Sequence, residues 1–188
     1  MFAVRAVLAD AHSVQFRNGV TKSAKHILVK ADAFGIGMPD QDTILSPDHR
    51  IYIHDLACGF LFDEAAVLAP AKGLLGLQRM RAMKGKKSVE YITLLTETHQ
   101  VIFANGMPAE TLYPGPEALQ RIGFFGRAQI MRSVLRLGTR DLETAYPPAR
   151  RLLSVQEAKG LVEVMKVRSR FVQSGPQISD QPTLHAAE

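Results

Sequence analysis

The stretch from Val89 to Tyr113 most narrows the folds open to this chain. Val89-Glu90-Tyr91-Ile92-Thr93-Leu94-Leu95 and His99-Gln100-Val101-Ile102-Phe103-Ala104 are short runs rich in β-branched and aromatic residues. Such residues suit a pleated, half-buried surface, so each run is expected to be a strand. Asn105-Gly106 follows directly. A two-residue type I′ turn needs positive φ at both central positions, and Asn-Gly meets that need at least cost. Met107–Tyr113 is the expected return strand. Its Pro108 has no N–H to give to a ladder, which predicts an edge position. Pro114-Gly115-Pro116 then closes the β region.

Upstream, His26–Phe34 is a strand candidate, broken by Gly35-Ile36-Gly37-Met38-Pro39. The two glycines have the wrong spacing for a dinucleotide-binding loop, and no helix pattern follows them. Ser46-Pro47-Asp48-His49 reads as one tight turn, with Ser46 able to cap it and Pro47 suited to its first position. Arg50-Ile51-Tyr52-Ile53 continues as a strand. A histidine at such a junction is ordinarily a hydrogen-bonded structural residue. A rigid turn on a strand end also aims one imidazole at one place, as a catalytic group requires. Between Asp63 and Leu77 we expect a strand at Ala66–Ala69 and a short helical turn after Pro70. Residues 1–25 show no clear period; Phe2–Leu8 allows one short strand, and Asn18-Gly19 is a turn signal.

After Pro116 the pattern becomes helical. Ala118, Leu119, Ile122, Phe125, Ile130, Val134 and Leu137 recur at helical spacing, with Gly123 and Gly126 splitting the run into two short helices. Pro147-Pro148 stops any helix. Ser154-Val155-Gln156-Glu157 is a capping box, and Ala158, Leu161, Val162 and Met165 follow on one face. From Ser169 the chain is rich in Ser, Gln, Pro and Gly and is expected to be disordered. The predicted organisation is a ragged N-terminal remnant over 1–25, a β domain over 26–115, a helical extension over 116–168 and a tail over 169–188.

Composition removes several function classes. With 46% hydrophobic and 22% charged residues in 188, the chain can bury a sizeable core. Its net charge of +5 is modest. Arg79, Arg81, Lys84, Lys86 and Lys87 form a basic run without interleaved aromatics, which reads as a solvated loop; no nucleic-acid partner is expected. The one cysteine, Cys58, excludes an internal disulfide and a cysteine-rich zinc site. His49 and His54 lie five apart on a turn and strand, so they point to different faces, and no metal site is expected from them with Asp48 and Asp55. No cofactor motif is present. No segment reaches the roughly 18 apolar residues of a membrane span. Arg5 and Asp10 interrupt any secretory-type apolar run. The expected compartment is the cytoplasm, or secretion only as part of a larger parent protein.

Thr43-Ile44-Leu45-Ser46-Pro47-Asp48-His49-Arg50 resembles the Thr/Ser-x-x-His motif of Hint domains, the autoprocessing module of Hedgehog C-terminal regions and inteins. Tyr91–Gly106 resembles that family's closing motif, a histidine followed by a strand and an Ala-Asn-Gly-like turn. Met107–Gly115 continues it in the manner of a bacterial Hint-type subgroup. The resemblance runs from about residue 26 to residue 165. It implies a mainly β, horseshoe-like fold followed by a helical appendage. It also implies autoproteolysis or protein splicing, in which a leading cysteine or serine attacks the preceding carbonyl and converts a peptide bond to a thioester or ester. Ser46 and His49 match the pair that polarises the scissile bond, and His99 matches a second histidine that helps later proton transfer. The family's nucleophile leads a Cys-Phe-x-x-Gly-Thr-like segment, and residues 1–25 contain none. Cys58 follows the Ser46–His49 motif and so does not correspond to it. A terminal His-Asn is absent as well; Ala109-Glu110 stands in that region. The expectation is therefore the C-terminal part of a Hint domain, truncated or degenerate and inactive alone. Its alternatives are a split-type half needing a Cys-bearing partner segment upstream or on a separate chain, and a binding module for an acidic partner.

Overall fold

The computed structural model describes residues 6–7, 14–18, 26–83, 89, 91–115, 130 and 146–174. In chain order these form β1 (Ala6–Val7), β2 (Val14–Asn18), β3 (Ile27–Val29), β4 (Thr43–Leu45), β5 (Arg50–His54), α1 (Leu56–Phe62) and β6 (Ala66–Pro70). A 3-10 turn (Ala71–Gly73) is followed by β7 (Met80–Ala82), β8 (Tyr91–Leu95), β9 (Val101–Ala104), β10 (Met107–Glu110), β11 (Arg151–Leu152) and α2 (Val155–Ser174). The fold is mainly β with a C-terminal helix. Its largest sheet runs β1-β9-β10-β5-β6-β11; β2 pairs with β8, and β3 lies between β4 and β7.

The hairpin forms where its turn chemistry places it. Asn105 and Gly106 have φ of 52° and 74°, and Met107↔Ala104 closes an antiparallel β9–β10 ladder. Pro108 does not mark an edge, because β10 lies between β9 and β5. Pairs alternate along an antiparallel ladder, so Pro108, next to the closing pair, turns its missing N–H away from β9 and toward β5. The β10–β5 ladder is correspondingly short, with Ala109↔Ile51 as its registered pair.

Within the expected N-terminal remnant, residues 6–7 and 14–18 form strands. Ala6–Val7 pairs with Phe103–Ala104 of β9, and Val14–Asn18 pairs with Tyr91–Leu95 of β8. Ala6–Val7 lies within the short strand allowed over Phe2–Leu8; Val14–Asn18 lacks internal period and its partner lies far along the chain, so local patterning could not reveal it. α1 was also not expected. Asp55 caps it by accepting the Ala57 N–H at 2.8 Å.

One core joins sheet and helices. Ile51 and Ile53 of β5 point inward while Arg50 and Tyr52 are half-buried and His54 is exposed, a period-2 pattern. β6 is buried throughout and followed by its short helical turn, as expected from Pro70. Ala158, Leu161 and Val162 of α2 enter the same cluster. The capping box forms in full: Ser154 N–H donates to Glu157 Oε2 at 2.8 Å, and Glu157 N–H donates to Ser154 Oγ at 3.2 Å. α2 continues to Ser174, past the point at which the polar composition predicted a tail. Once its apolar face is docked, a helix extends through residues of poor local propensity. The two short helices expected over 117–137 lie outside the described residues, apart from the buried Ile130. Lys84, Lys86 and Lys87 lie outside them too. Arg79 donates to Ala31 O at 2.7 Å, and Arg81 is exposed.

Candidate active site

The Ser46–His49 turn is built as its residues dictate. His49 N–H donates to Ser46 O at 3.2 Å, which closes the turn. The 3-10 segment then braces it from the far end of β6: Ala71 N–H donates to His49 O and Lys72 N–H to Pro47 O, both at 2.9 Å. Lys72 Nζ also pairs with Asp48 at 2.6 Å. His49 is thus held by its own backbone at the mouth of β5. Its imidazole is held below the ordinary value of 6.5, chiefly by burial; the Glu110 charge opposes that effect and Arg50 adds to it.

His99 sits in a different setting. Its side chain is fully buried, with its ring beside Tyr113 and Tyr146 at centroid distances of 5.2 and 6.3 Å. Nδ1 accepts the Ala149 N–H at 3.0 Å. Because that lone pair is committed, the ring proton resides on Nε2. Nε2 lies 3.5 Å from Glu110 Oε2 and has no hydrogen-bond partner of normal geometry.

Glu110 connects the two histidines. This buried residue on β10 accepts the Arg50 N–H on Oε1 at 3.0 Å. Arg50 Nη1 lies 3.5 Å from both carboxylate oxygens. One carboxylate therefore fastens the residue next to His49, acts electrostatically on His49, and faces Nε2 of His99. A second polar contact anchors the hairpin tip: Asn105 Nδ2 donates to Thr43 Oγ1 at 2.9 Å, both residues being buried. The Asp40 N–H also donates to Asn105 O at 2.8 Å.

The remaining sequence candidates have other roles. Cys58 is buried in α1, with its thiol directed to Ile53 O at 3.7 Å. Burial pushes its pKa up, which disfavours the thiolate. His54 is exposed on β5, Asp48 is paired with Lys72, and Asp55 caps α1 and pairs with Arg168. Those four do not converge on one point. Ser46 is half-buried at the start of its turn. Sequence reading missed Glu110, Tyr146 and Ala149. An acidic residue inside an otherwise apolar strand was a usable signal for Glu110. Ala149 acts through its backbone, and nothing in its side chain announces that.

A family model for the Hint domain matches residues 3–116, more than half of the chain. This chain belongs to the Hint domain family. No curated protein and no solved structure matches it. The Hint match spans Ser46, His49, His99 and Glu110, and it includes β1 and β2 as well as the later strands. It stops before Tyr146 and Ala149, so the groups that seat Nδ1 of His99 come from outside the matched stretch.

Proposed function

We propose that these residues hold the polarising half of a Hint-type autoprocessing centre and do not cleave themselves unaided. The observation that carries this reading is the shared carboxylate: Glu110 holds the N–H of Arg50, the residue after His49, and lies 3.5 Å from His99, 50 residues from His49 in sequence. In this reading Ser46 and His49 act on the scissile peptide bond, and His99 serves in the later proton transfers. An amide is a poor electrophile, and hydrogen bonding to its oxygen or nitrogen stabilises the tetrahedral state. His49, held below the ordinary histidine value, is neutral at pH 7 and can receive or pass a proton there. The acyl shift itself moves the carbonyl carbon from nitrogen to sulfur or oxygen; the C–N bond breaks, and the amine retains the proton delivered to it.

The missing part is the nucleophile. Cys58 is buried on α1 with a raised pKa, and it follows the Ser46–His49 turn in sequence. The partner in this reading is a Cys-bearing Hint segment from outside these 188 residues, and neither cofactor nor nucleic acid takes part. Purified protein should keep its full mass on long incubation with a thiol, as followed by intact-mass spectrometry. Addition of a Cys-led N-terminal Hint segment, fused or in trans, should restore thiol-dependent cleavage that His49→Ala abolishes. Self-cleavage of the unsupplemented chain would refute the inactivity. A folded complex that never cleaves would favour a degenerate or purely binding role.

A further inference from the structure

We propose that Glu110 is a positioning residue for both histidines, one that fixes the backbone presenting His49 and orients the Nε2–H edge of His99. The proposal deepens the autoprocessing reading and rests on it for its catalytic meaning, while its geometry stands independently. Antiparallel register places Glu110 opposite Arg50, one step from the Ala109↔Ile51 pair. There the Arg50 N–H is received by the Glu110 side chain, not by a main-chain carbonyl. Pro108 cuts the ladder on the other side of the Ala109↔Ile51 pair, and the carboxylate takes over its Arg50 end. The direction in which β5 leaves the His49 turn is thereby tied to a side chain of the hairpin.

The other side of the carboxylate faces His99. Ala149 and Glu110 bracket the imidazole, one as donor to Nδ1 and one facing the proton on Nε2. Tyr113 and Tyr146 limit ring rotation. Nε2 is fully buried and lacks a normal hydrogen-bond partner, although the carboxylate is only 3.5 Å away. A buried donor left short of its acceptor is costly, and a small movement of His99 or Glu110 closes the gap. Such a pair is poised to tighten when a substrate segment fills the site, because hydrogen bonds of catalytic groups are often long before the substrate arrives. The ionic groups around His49 are Glu110, Arg50 and the Asp48–Lys72 pair on its own turn. Of these Glu110 also faces Nε2 of His99.

The test compares Glu110→Gln and Glu110→Asp by imidazole NMR in the whole chain, with thermal unfolding to confirm folding. In Glu110→Gln the side-chain oxygen can still accept the Arg50 N–H, so the fold persists while the charge is lost. The His49 titration should then move to lower pH, and the His99 Nε2–H resonance should move upfield. Glu110→Asp keeps the charge but withdraws it by one methylene. The His99 resonance should move while the His49 titration stays closer to that of the parent. Wild-type behaviour of both resonances in both variants would overturn the proposal. Cleavage supplies a separate arm. Where a Cys-led segment restores activity, Glu110→Gln should lower its rate by about ten-fold or more, as loss of an orienting partner does at other sites. An unchanged rate would refute the catalytic meaning of the positioning. If the wild-type protein never becomes active, the autoprocessing reading fails while the NMR arms still decide the geometry.

Discussion

Two glycines with the same backbone angle separate conformational strain from steric clash. Gly37 and Gly106 both have φ of 74°. A Cβ on Gly37 would meet nothing within 4 Å, whereas one on Gly106 would lie 2.4 Å from Gly37 O and 3.5 Å from Asp40 N. Alanine at either position suffers about 1–2 kcal/mol from the left-handed conformation. At Gly37 that is the whole effect. At Gly106 the new carbon falls 0.6 Å inside the 3.0 Å closest approach of real Cβ atoms, and the group it meets is backbone, which cannot rotate away. Relief requires the 37–40 loop to separate from the hairpin tip. That movement strains or breaks the Asp40 N–H to Asn105 O bond of 2.8 Å, worth about 1 kcal/mol. Crowding of this kind adds about 1–3 kcal/mol. Gly106→Ala is therefore expected to cost about 3–6 kcal/mol in all. For a chain of this size each kcal/mol lowers Tm by about 2–4 °C, so calorimetry should give drops of about 6–24 °C for Gly106→Ala and about 2–8 °C for Gly37→Ala, the first about threefold the second. Asparagine tolerates the left-handed region, so Gly37→Asn should recover much of the loss. Gly106→Asn should not, because its Cβ occupies the same space. Equal drops for the two alanine variants, or rescue by asparagine at Gly106, would refute the clash.

His49 should make stability depend on pH. Its pKa is lower in the folded protein than the ordinary 6.5, chiefly through burial, so between the two values the unfolded chain binds more protons. Stability should decline once the pH falls below about 6.5 and level off below the folded pKa; His49→Gln should flatten that decline in urea titrations, and parallel curves would contradict the burial effect. Ser154→Ala removes the acceptor of the Glu157 N–H and should cost about 1 kcal/mol. The loss should appear in global unfolding, because Ala158, Leu161 and Val162 of the helix belong to the core; unfolding of α2 alone would show that the helix is not integrated.

Local rules read much of this molecule correctly. Asn105-Gly106 specified its turn, Ser46-Pro47-Asp48-His49 its own closure, Pro70 the passage from β6 to a helical turn, and Ser154 with Glu157 the start of α2. The first two of these also belong to the motifs that carried the resemblance to the Hint family. In each case the interaction closes within a few residues, so the side chains that determine it stand together in the sequence. β2 and β11 were not expected, because such short strands take their identity from partners far away in the chain. Pro108 misled for a related reason: which neighbour its missing N–H faces is a property of the whole sheet. The site shows the same division. His49 and His99 were legible as candidates, but their link was not. It runs through Glu110, 60 residues from Arg50, and through a backbone N–H at Ala149, 50 residues from His99. Sequence by itself determined the turns and the capping box of α2, because those depend on adjacent side chains. Only the tertiary structure decided that one buried carboxylate holds the residue after His49 and faces His99, because packing and strand register, not local chemistry, bring Glu110 to Arg50 and His99.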